Sequence, residues 1–486
     1  MNSKNRVSVV SGSGIAYPSP PFSPHEAYPE YPFRDLSPSP NLVYGMVREA
    51  LKRLKLDEER ANTADWNPLG EIVQPGAKVV VKPNWVMHTN RGKGTLQSVV
   101  THPSIVRSLL DYIFIALKGE GEVVVGDAPL QQCEIKTLWA SQEWYAIPEY
   151  FSEKGPWKVV LEDWRLQTAH RKGPLTYRQQ AGDPKRGFRI LDLGPDSALE
   201  PVSDDWENFR VTNYDPEVMN IHHRPGKHQY CVSQRILDSD IVFNVPKLKS
   251  HAKAGFTCCL KNMVGINGHK SYLPHHRRGA STKGHDEYPG DGLLNDLHAR
   301  ISEQYDRLHI GPAKFSVGLA AYALRTAIRL GSGVMEGSWY GNDTLWRTIL
   351  DLNRVALYAN RVGALQPEPQ RVVFSVVDAV VAGEGEGPLA PGDRPLGLVA
   401  AGTNPLVVDL AMAKLMGFDW KSIPQLRWGP DLTAFKLFSG DPDSVIILQG
   451  SEEASKDASS HVLSFRPAAG WKAMLGNTKA RSISDK

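Results

Sequence analysis

With 486 residues, 41% of them apolar, the chain is long enough for two domains or for one large α/β domain with insertions. Its formal net charge of +3 is too small to make the whole molecule a nucleic-acid cation, so any preference for anions must be local. No run approaches the roughly 18 apolar residues of a membrane helix, the start lacks the apolar core of a signal peptide, and the four cysteines include no C-x-x-C spacing.

Those cysteines, Cys133, Cys231, Cys258 and Cys259, leave a disulfide framework, an iron–sulfur cluster and a structural zinc without their usual patterns. A cytoplasmic setting is the expectation, with no membrane partner.

The chain opens with a stretch, 1–40, in which "AYPSPPFSPHEAYPEYPFRDLSPSP" is rich in proline and aromatics. Proline forbids a regular helix here, and the aromatics argue for an ordered arm laid over the core rather than a linker. "NLVYGMVREALKRLKLD" follows with helical spacing and Asn41 as N-cap. Then strands and helices alternate. "AKVVVKPNW" is a strand ending in a polar loop, and "THPSIVRSLLDYIFIAL" is a helix opened by Thr101 with Pro103 in its first turn. "GEVVVGDAP", "DIVFNVPKLK" and "QRVVFSVVDAVVAGEGEG" repeat the strand form; "PLGLVAAGTNPLVVDLAMAKLMG" adds a strand, a turn and a helix.

The strand runs are apolar throughout, as parallel strands covered on both faces should be. The fold expected is α/β, a mainly parallel sheet with helices on both faces. The α/β core spans 41–290 and 362–450, a helical insertion or cap spans 291–361, and a polar, loosely held tail runs over 451–486.

Ligands of open α/β sheets bind beyond the carboxyl ends of the strands, and five such ends carry polar residues. They bring Lys82 and Asn84; Asp127; Asn244, Lys247 and Lys249; Asp378 with Glu384 and Glu386; and Asn404 with Asp409. The basic group suits an anion, since lysine is a compact phosphate binder. "KLKSHAKAG" is read as leading into a helix "FTCCLKNMVG", whose N-terminus would add backbone donors beside Lys247, Lys249, His251 and Lys253. His251, with an ordinary pKa near neutrality, is the candidate acid or base. Lys261 and Asn262 sit in an apolar run and either snorkel outward or point into the crevice. The loop "GHKSYLPHHRRG" adds His269, Lys270, His275, His276, Arg277 and Arg278 as a lid over an acidic ligand or an exposed segment.

The acidic group suits a hard cation. Asp378, Glu384, Asp409 and Asp127 are candidate ligands for a divalent ion such as magnesium, which takes one or two carboxylates plus substrate oxygens. The competing reading has these carboxylates neutralising nearby lysines. There is no P-loop, no complete dinucleotide fingerprint and no G-x-S-x-G elbow. His222–His223 and Cys258–Cys259 are adjacent pairs, a poor geometry for joint chelation by one element.

Taken together, "VVVKPNW", "THPSIVRSLLDYI", "GEVVVGDAP", "SDIVFNVPKLKSHAKAGFTCCLKNMVG", "DLNR" and the run from "VVDAVVAGEGEG" to "LAMAKLMG" resemble the family called "domain of unknown function 362", in order from about residue 77 to 420. The resemblance implies that Lys82, Asn84, Asp127, Lys247, Lys249, His251, Lys261, Asn262, Asp378, Glu384 and Asp409 form the family's polar signature. Many members carry a ferredoxin-like cysteine cluster; this chain lacks its spacing, so no iron–sulfur cluster is expected.

The functional expectation is an enzyme acting on an anionic, phosphorylated small molecule with a divalent cation. His251, Lys261 and Lys249 would be catalytic, and Lys82, Asn84, Asn244, Lys247, Asn262, His269 and Lys270 would bind the substrate. Two other readings stand beside it: an acid–base racemase or isomerase of a hydroxy acid, and a non-catalytic binding or redox-partner protein. Nucleic acid is disfavoured by the near-neutral total charge.

Overall fold

The computed structural model describes residues 5–183, 185–331, 333–449, 452–454 and 462–475. The elements that position the site are, in chain order, β1 (Arg6–Ser11), α1 (Leu42–Arg53), β2 (Lys78–Pro83), α2 (Pro103–Leu117), β3 (Glu122–Asp127), β4 (Val159–Asp163), β5 (Ile241–Val245), β6 (Lys247–His251), β7 (Gly255–Thr257), α3 (Cys259–Asn262), α4 (Leu293–Arg307), α5 (Pro312–Leu330), α6 (Leu345–Tyr358), β8 (Val372–Glu386), β9 (Ala390–Gly402), α7 (Pro405–Met416), β10 (Ile446–Gln449) and β11 (Glu452–Ala454).

The strands form one sheet in the order β11-β10-β1-β9-β8-β5-β2-β3-β4, with β6 paired to β8 and β7 paired to β6. Pairing is parallel from β8 through β5, β2, β3 to β4. Alternation along each strand feeds two core layers: Val79, Val81, Ile241 and Phe243 enter one, while Val80 and Val242 enter the other. Helices α1 and α2 cover the first layer and α6 and α7 the second. The expected α/β fold, covered on both faces, is the fold observed.

The long β8 and β9 pair antiparallel, as does β1 with β9. An apolar run marks a strand covered on both sides, and that condition holds whichever way its neighbour runs.

Four other expectations change. Residues 6–11 are an inner strand of the sheet rather than part of an arm; the arm proper begins after them and is ordered, with Phe22 buried and Tyr17, Tyr28 and Tyr31 packed on the core. Helix α6, assigned to the insertion, is a core helix with Ile349, Leu350 and Leu352 fully buried, so the inserted part is the α4–α5 hairpin. The described part of the tail is not loose: Phe465, Ala468 and Trp471 are buried, and the Trp471 indole donates to Ala252 O at 2.8 Å. The rest of that tail lies outside the described residues. Helix α2 is capped by His102, whose ring nitrogen accepts from Ser104 N at 3.2 Å. Thr101 instead ties two strand ends, donating to Val245 O at 2.7 Å and accepting from Asn84 N at 2.9 Å.

The segment after β5 also departs from expectation. It is a strand pair, β6 and β7, followed by a helix of only four residues, so no long helix aims its N-terminus at an anion.

Candidate functional site

Because β5 lies between β2 and β8, the carboxyl ends of β2, β3 and β5 open on the same edge. Asn262, delivered by α3, joins them. Its amide donates to Lys82 O (3.1 Å) and Asn244 Oδ1 (2.8 Å) and accepts from Asn84 Nδ2 (3.1 Å) and Lys82 Nζ (3.3 Å). Asn244 in turn donates to Cys259 O at 2.9 Å, fixing the start of α3. Lys82 pairs with Asp127 at 2.7 Å, both groups being buried, and Asp127 also accepts from Trp85 N at 2.8 Å. Burial pulls the Lys82 ammonium below its usual range, and Asp127 opposes that pull. Gly265 makes this packing possible: a Cβ there would lie 1.9 Å from Asp127 Oδ1, so only glycine fits.

Strand period places Lys247, Lys249 and His251 on one side of β6 and Leu248 in the core. Their surroundings then diverge. Lys247 gives its donors to Asp378 (2.7 Å), Tyr17 Oη (2.7 Å) and Val381 O (3.2 Å). Asp378 accepts in addition from Tyr17 Oη (2.6 Å) and His102 N (2.8 Å). Lys247 and Asp378 are fully buried, and they hold each other rather than a substrate and a metal. Lys249 donates to Asn84 Oδ1 at 2.7 Å and to Val99 O. Burial first, then Lys247 and Lys261, pushes its pKa well down. Two donated hydrogens suit the neutral amine that this shift favours.

Three lysines remain with free donors. Lys261 makes no hydrogen bond or ion pair with any described residue. It is half-buried, and burial followed by Lys270 and Lys82 brings its pKa down to about 7. Lys270 spends one donor on Ala128 O at 3.3 Å and is lowered to about 8 by burial. Lys253, half-buried, has no ion pair within reach; Glu336 and Glu287 act on it from a distance.

Two histidines complete the cluster, and their tautomers follow from their partners. His251 Nδ1 accepts from Lys253 N (3.0 Å) and Ala254 N (3.1 Å), so the ring is neutral and presents an N–H at Nε2. His275 Nδ1 donates to Leu273 O at 2.7 Å, leaving a lone pair at Nε2. Burial, followed by the neighbouring lysines, keeps both rings well below the ordinary histidine pKa. His251 is therefore a hydrogen-bond donor before it is a base.

The structure thus gathers Lys82, Asn84, Asp127, Asn244, Lys249, His251, Lys261, Asn262 and Lys270. It separates Lys247 with Asp378, and it turns His269 away: that ring accepts from Ser271 N at 3.3 Å and lies edge-on to Tyr272, with burial and His222 lowering its pKa to about 4. Lys253, expected beside the anion, and His275, from the basic loop expected to be a lid or an exposed segment, also belong to the cluster. Only their basicity signalled them, and basicity does not say which way consecutive loop residues point.

The four expected metal ligands do not gather. Among the described residues, the one group of three potential ligands is Cys258, Cys259 and Asp409, with ligand atoms within 4.8 Å of one another. Asp127 is held by Lys82 and Trp85 N, Asp378 by Lys247, and Glu384 by Arg466, whose backbone N donates at 3.2 Å. Asp409 accepts from Cys259 N (2.7 Å) and Leu260 N (3.0 Å) and so caps α3. Burial raises its pKa to about 7. Adjacency does not keep the two thiols apart either: they lie 3.8 Å from each other.

Residues 195–414 match the model of the family described as "Domain of unknown function (DUF362)". The resemblance seen in the sequence is borne out over this stretch. The match contains Asn244 through Lys270 and Asp378 through Asp409, while Lys82, Asn84 and Asp127 come from strands before it. The chain is also similar to the thylakoid-associated protein sll1697 of Synechocystis sp. (strain ATCC 27184 / PCC 6803 / Kazusa), at 21% identity over 379 residues, 76% of this chain and 73% of that protein.

Proposed function

We propose that this protein is an enzyme that binds an anionic small molecule, a phosphate ester or a carboxylate, at the strand-end cluster and moves a proton on it through Lys261. One observation carries the reading: Lys261 is unbonded among cations, whereas Lys82 and Lys249 of the same cluster are tied to protein acceptors. A bound anion would supply the missing counter-charge, and a lysine lowered to about 7 exchanges a proton readily at neutral pH. Lys270, Lys253 and the His251 N–H would stabilise negative charge developing on the ligand. His275 offers a second nitrogen lone pair.

Proton transfer next to a carboxylate, as in racemisation or isomerisation of a hydroxy acid, fits this set better than metal-assisted phosphoryl transfer. The reason is that the carboxylates expected to hold a cation are already engaged by protein donors. A magnesium ion carried by a phosphorylated ligand enters this reading as part of the substrate. A cytoplasmic setting completes it, in keeping with four buried, unpaired cysteines.

The test starts from native mass spectrometry of the purified protein to identify the bound anion, with inorganic phosphate and lactate as calorimetric probes. Lys261→Met should weaken anion binding at least tenfold and abolish exchange of solvent deuterium into the identified ligand, while Lys261→Arg should restore binding without exchange. General acid–base help is worth about 10²–10⁴-fold, so Lys261→Met with undiminished exchange rules out Lys261 as the proton carrier. Anion binding with no exchange by the wild type would leave the site as a non-catalytic binder.

A further inference from the structure

The α4–α5 hairpin stands away from the sheet and carries an apolar face that nothing among the described residues covers. Helix α5 turns Lys314, Gly318 and Ile328 inward. On the side adjoining these, Phe315 is 43% exposed, Leu319 50%, Tyr322 60% and Leu330 86%. At 100° per residue these four positions fall on one stripe. The N-terminus of α4 and the turn between the helices extend the patch with Leu293 and Ile310, 89% and 51% exposed. A single exposed leucine needs no explanation, but a continuous apolar stripe marks an interaction surface.

The charges on α5 indicate the partner. Between Pro312 and Leu330 the charged residues are Lys314, Arg325 and Arg329, with no acid among them. Lys314 donates to Leu308 O at 2.8 Å, and Arg325 is paired with Glu336, which fastens α5 to the body. Arg329 is exposed, and so is Arg300 on α4. A second copy docking through the same face would bring these cations towards their own equivalents. An anionic surface would meet them with opposite charge. No described helix is long and apolar enough to cross a membrane, whereas an apolar stripe beside cations, about 23 Å long at 1.5 Å per residue, suits a helix lying in the plane of the interface.

We propose that the α4–α5 hairpin docks the protein on an anionic lipid surface, with Phe315, Leu319, Tyr322 and Leu330 entering the headgroup boundary and Arg329 and Arg300 facing lipid phosphates. The sequence leads to the expectation of no membrane partner because no run is long enough to span; this proposal departs from that expectation, since an in-plane helix needs no spanning length.

Sedimentation of the full chain with vesicles tests this. Wild type should pellet with phosphatidylglycerol-containing vesicles, stay in solution with pure phosphatidylcholine, and be released by high salt. Leu319→Glu with Phe315→Glu should cut the bound fraction at least tenfold with the far-ultraviolet circular dichroism and melting temperature unchanged, because both side chains are solvent-facing. Arg329→Glu should give a smaller loss confined to anionic vesicles. The proposal is overturned if wild type stays in solution with phosphatidylglycerol, or if the double variant pellets like wild type. It is equally overturned if light scattering reveals a dimer that the double variant splits, which would assign the face to a second copy.

Discussion

Lys247 and Lys261 lie in the same basic run of sequence, yet they occupy opposite situations. Lys247 is surrounded by acceptors, one of them the carboxylate of Asp378, and that carboxylate is itself satisfied by Tyr17 and a backbone amide. Lys261 sits among Lys270, Lys82 and Lys253 with no bond of its own. The first arrangement spends its charge on holding β6 to β8 and the N-terminal arm to both. The second leaves charge unspent, which costs stability and suits a site awaiting a ligand. A buried ion pair is a structural device when every donor and acceptor is used, and a candidate for chemistry when one is not.

The largest effect should come from breaking the closed cluster. Asp378→Ala leaves the Lys247 ammonium buried and unpaired, and about 3–5 kcal/mol of stability should be lost in urea unfolding. Replacing the pair together, Lys247→Met with Asp378→Leu, should lose much less, because no charge is stranded. Equal losses in the single and double variants would contradict the reading of this cluster.

Asn262→Ala should cost about 1–3 kcal/mol, because it strips partners from Asn244, Asn84 and Lys82 at once. A change within error would mean that water replaces the amide.

The open cluster should respond in the opposite direction. Lys261→Met should raise stability by about 1–3 kcal/mol at neutral pH. The sign follows from the lowered pKa: between about 7 and the unfolded lysine value the folded state binds fewer protons than the unfolded state, so wild-type stability rises with pH across that window. The gain from methionine is therefore largest at pH 7 and below, and it shrinks as the pH climbs. A thermal-shift series over pH 6–9.5 decides this; a gain that grows with pH removes the assignment. Phosphate affinity should run the other way and fall as pH passes about 7, up to tenfold per unit, as the amine loses its charge. The smallest effect belongs to Glu384→Gln, whose partner Arg466 is largely exposed; a shift under about 1 kcal/mol is expected by chemical denaturation.

Which residues line the strand ends was legible because strand runs are long and apolar and their polar terminators interrupt them visibly. Lys82, Asn84, Asp127, Asn244 and Lys249 were found that way, whereas His251, Lys261, Asn262 and Lys270 stood out only as polar residues of the segment that follows β5. Pairing was not legible. Asp378 and Lys247 each carried two readings, and only the position of Tyr17, some 230 residues from Lys247 in sequence, decided between them. His275 and Lys253 were legible only as members of basic segments, because loops carry no period that says which residue points inward. The strand at 6–11 was missed because its polar neighbours hid a short run of valines.

By itself the sequence determined the α/β architecture, the two apolar faces of the sheet and the set of polar groups at its edge, because hydrophobic periodicity is a local property of the chain. Only the tertiary structure decided which lysine is neutralised and which is left bare, which histidine nitrogen carries its proton, and which face of a surface helix stays uncovered. Those properties depend on distances of a few ångströms between segments hundreds of residues apart, and no local pattern encodes them.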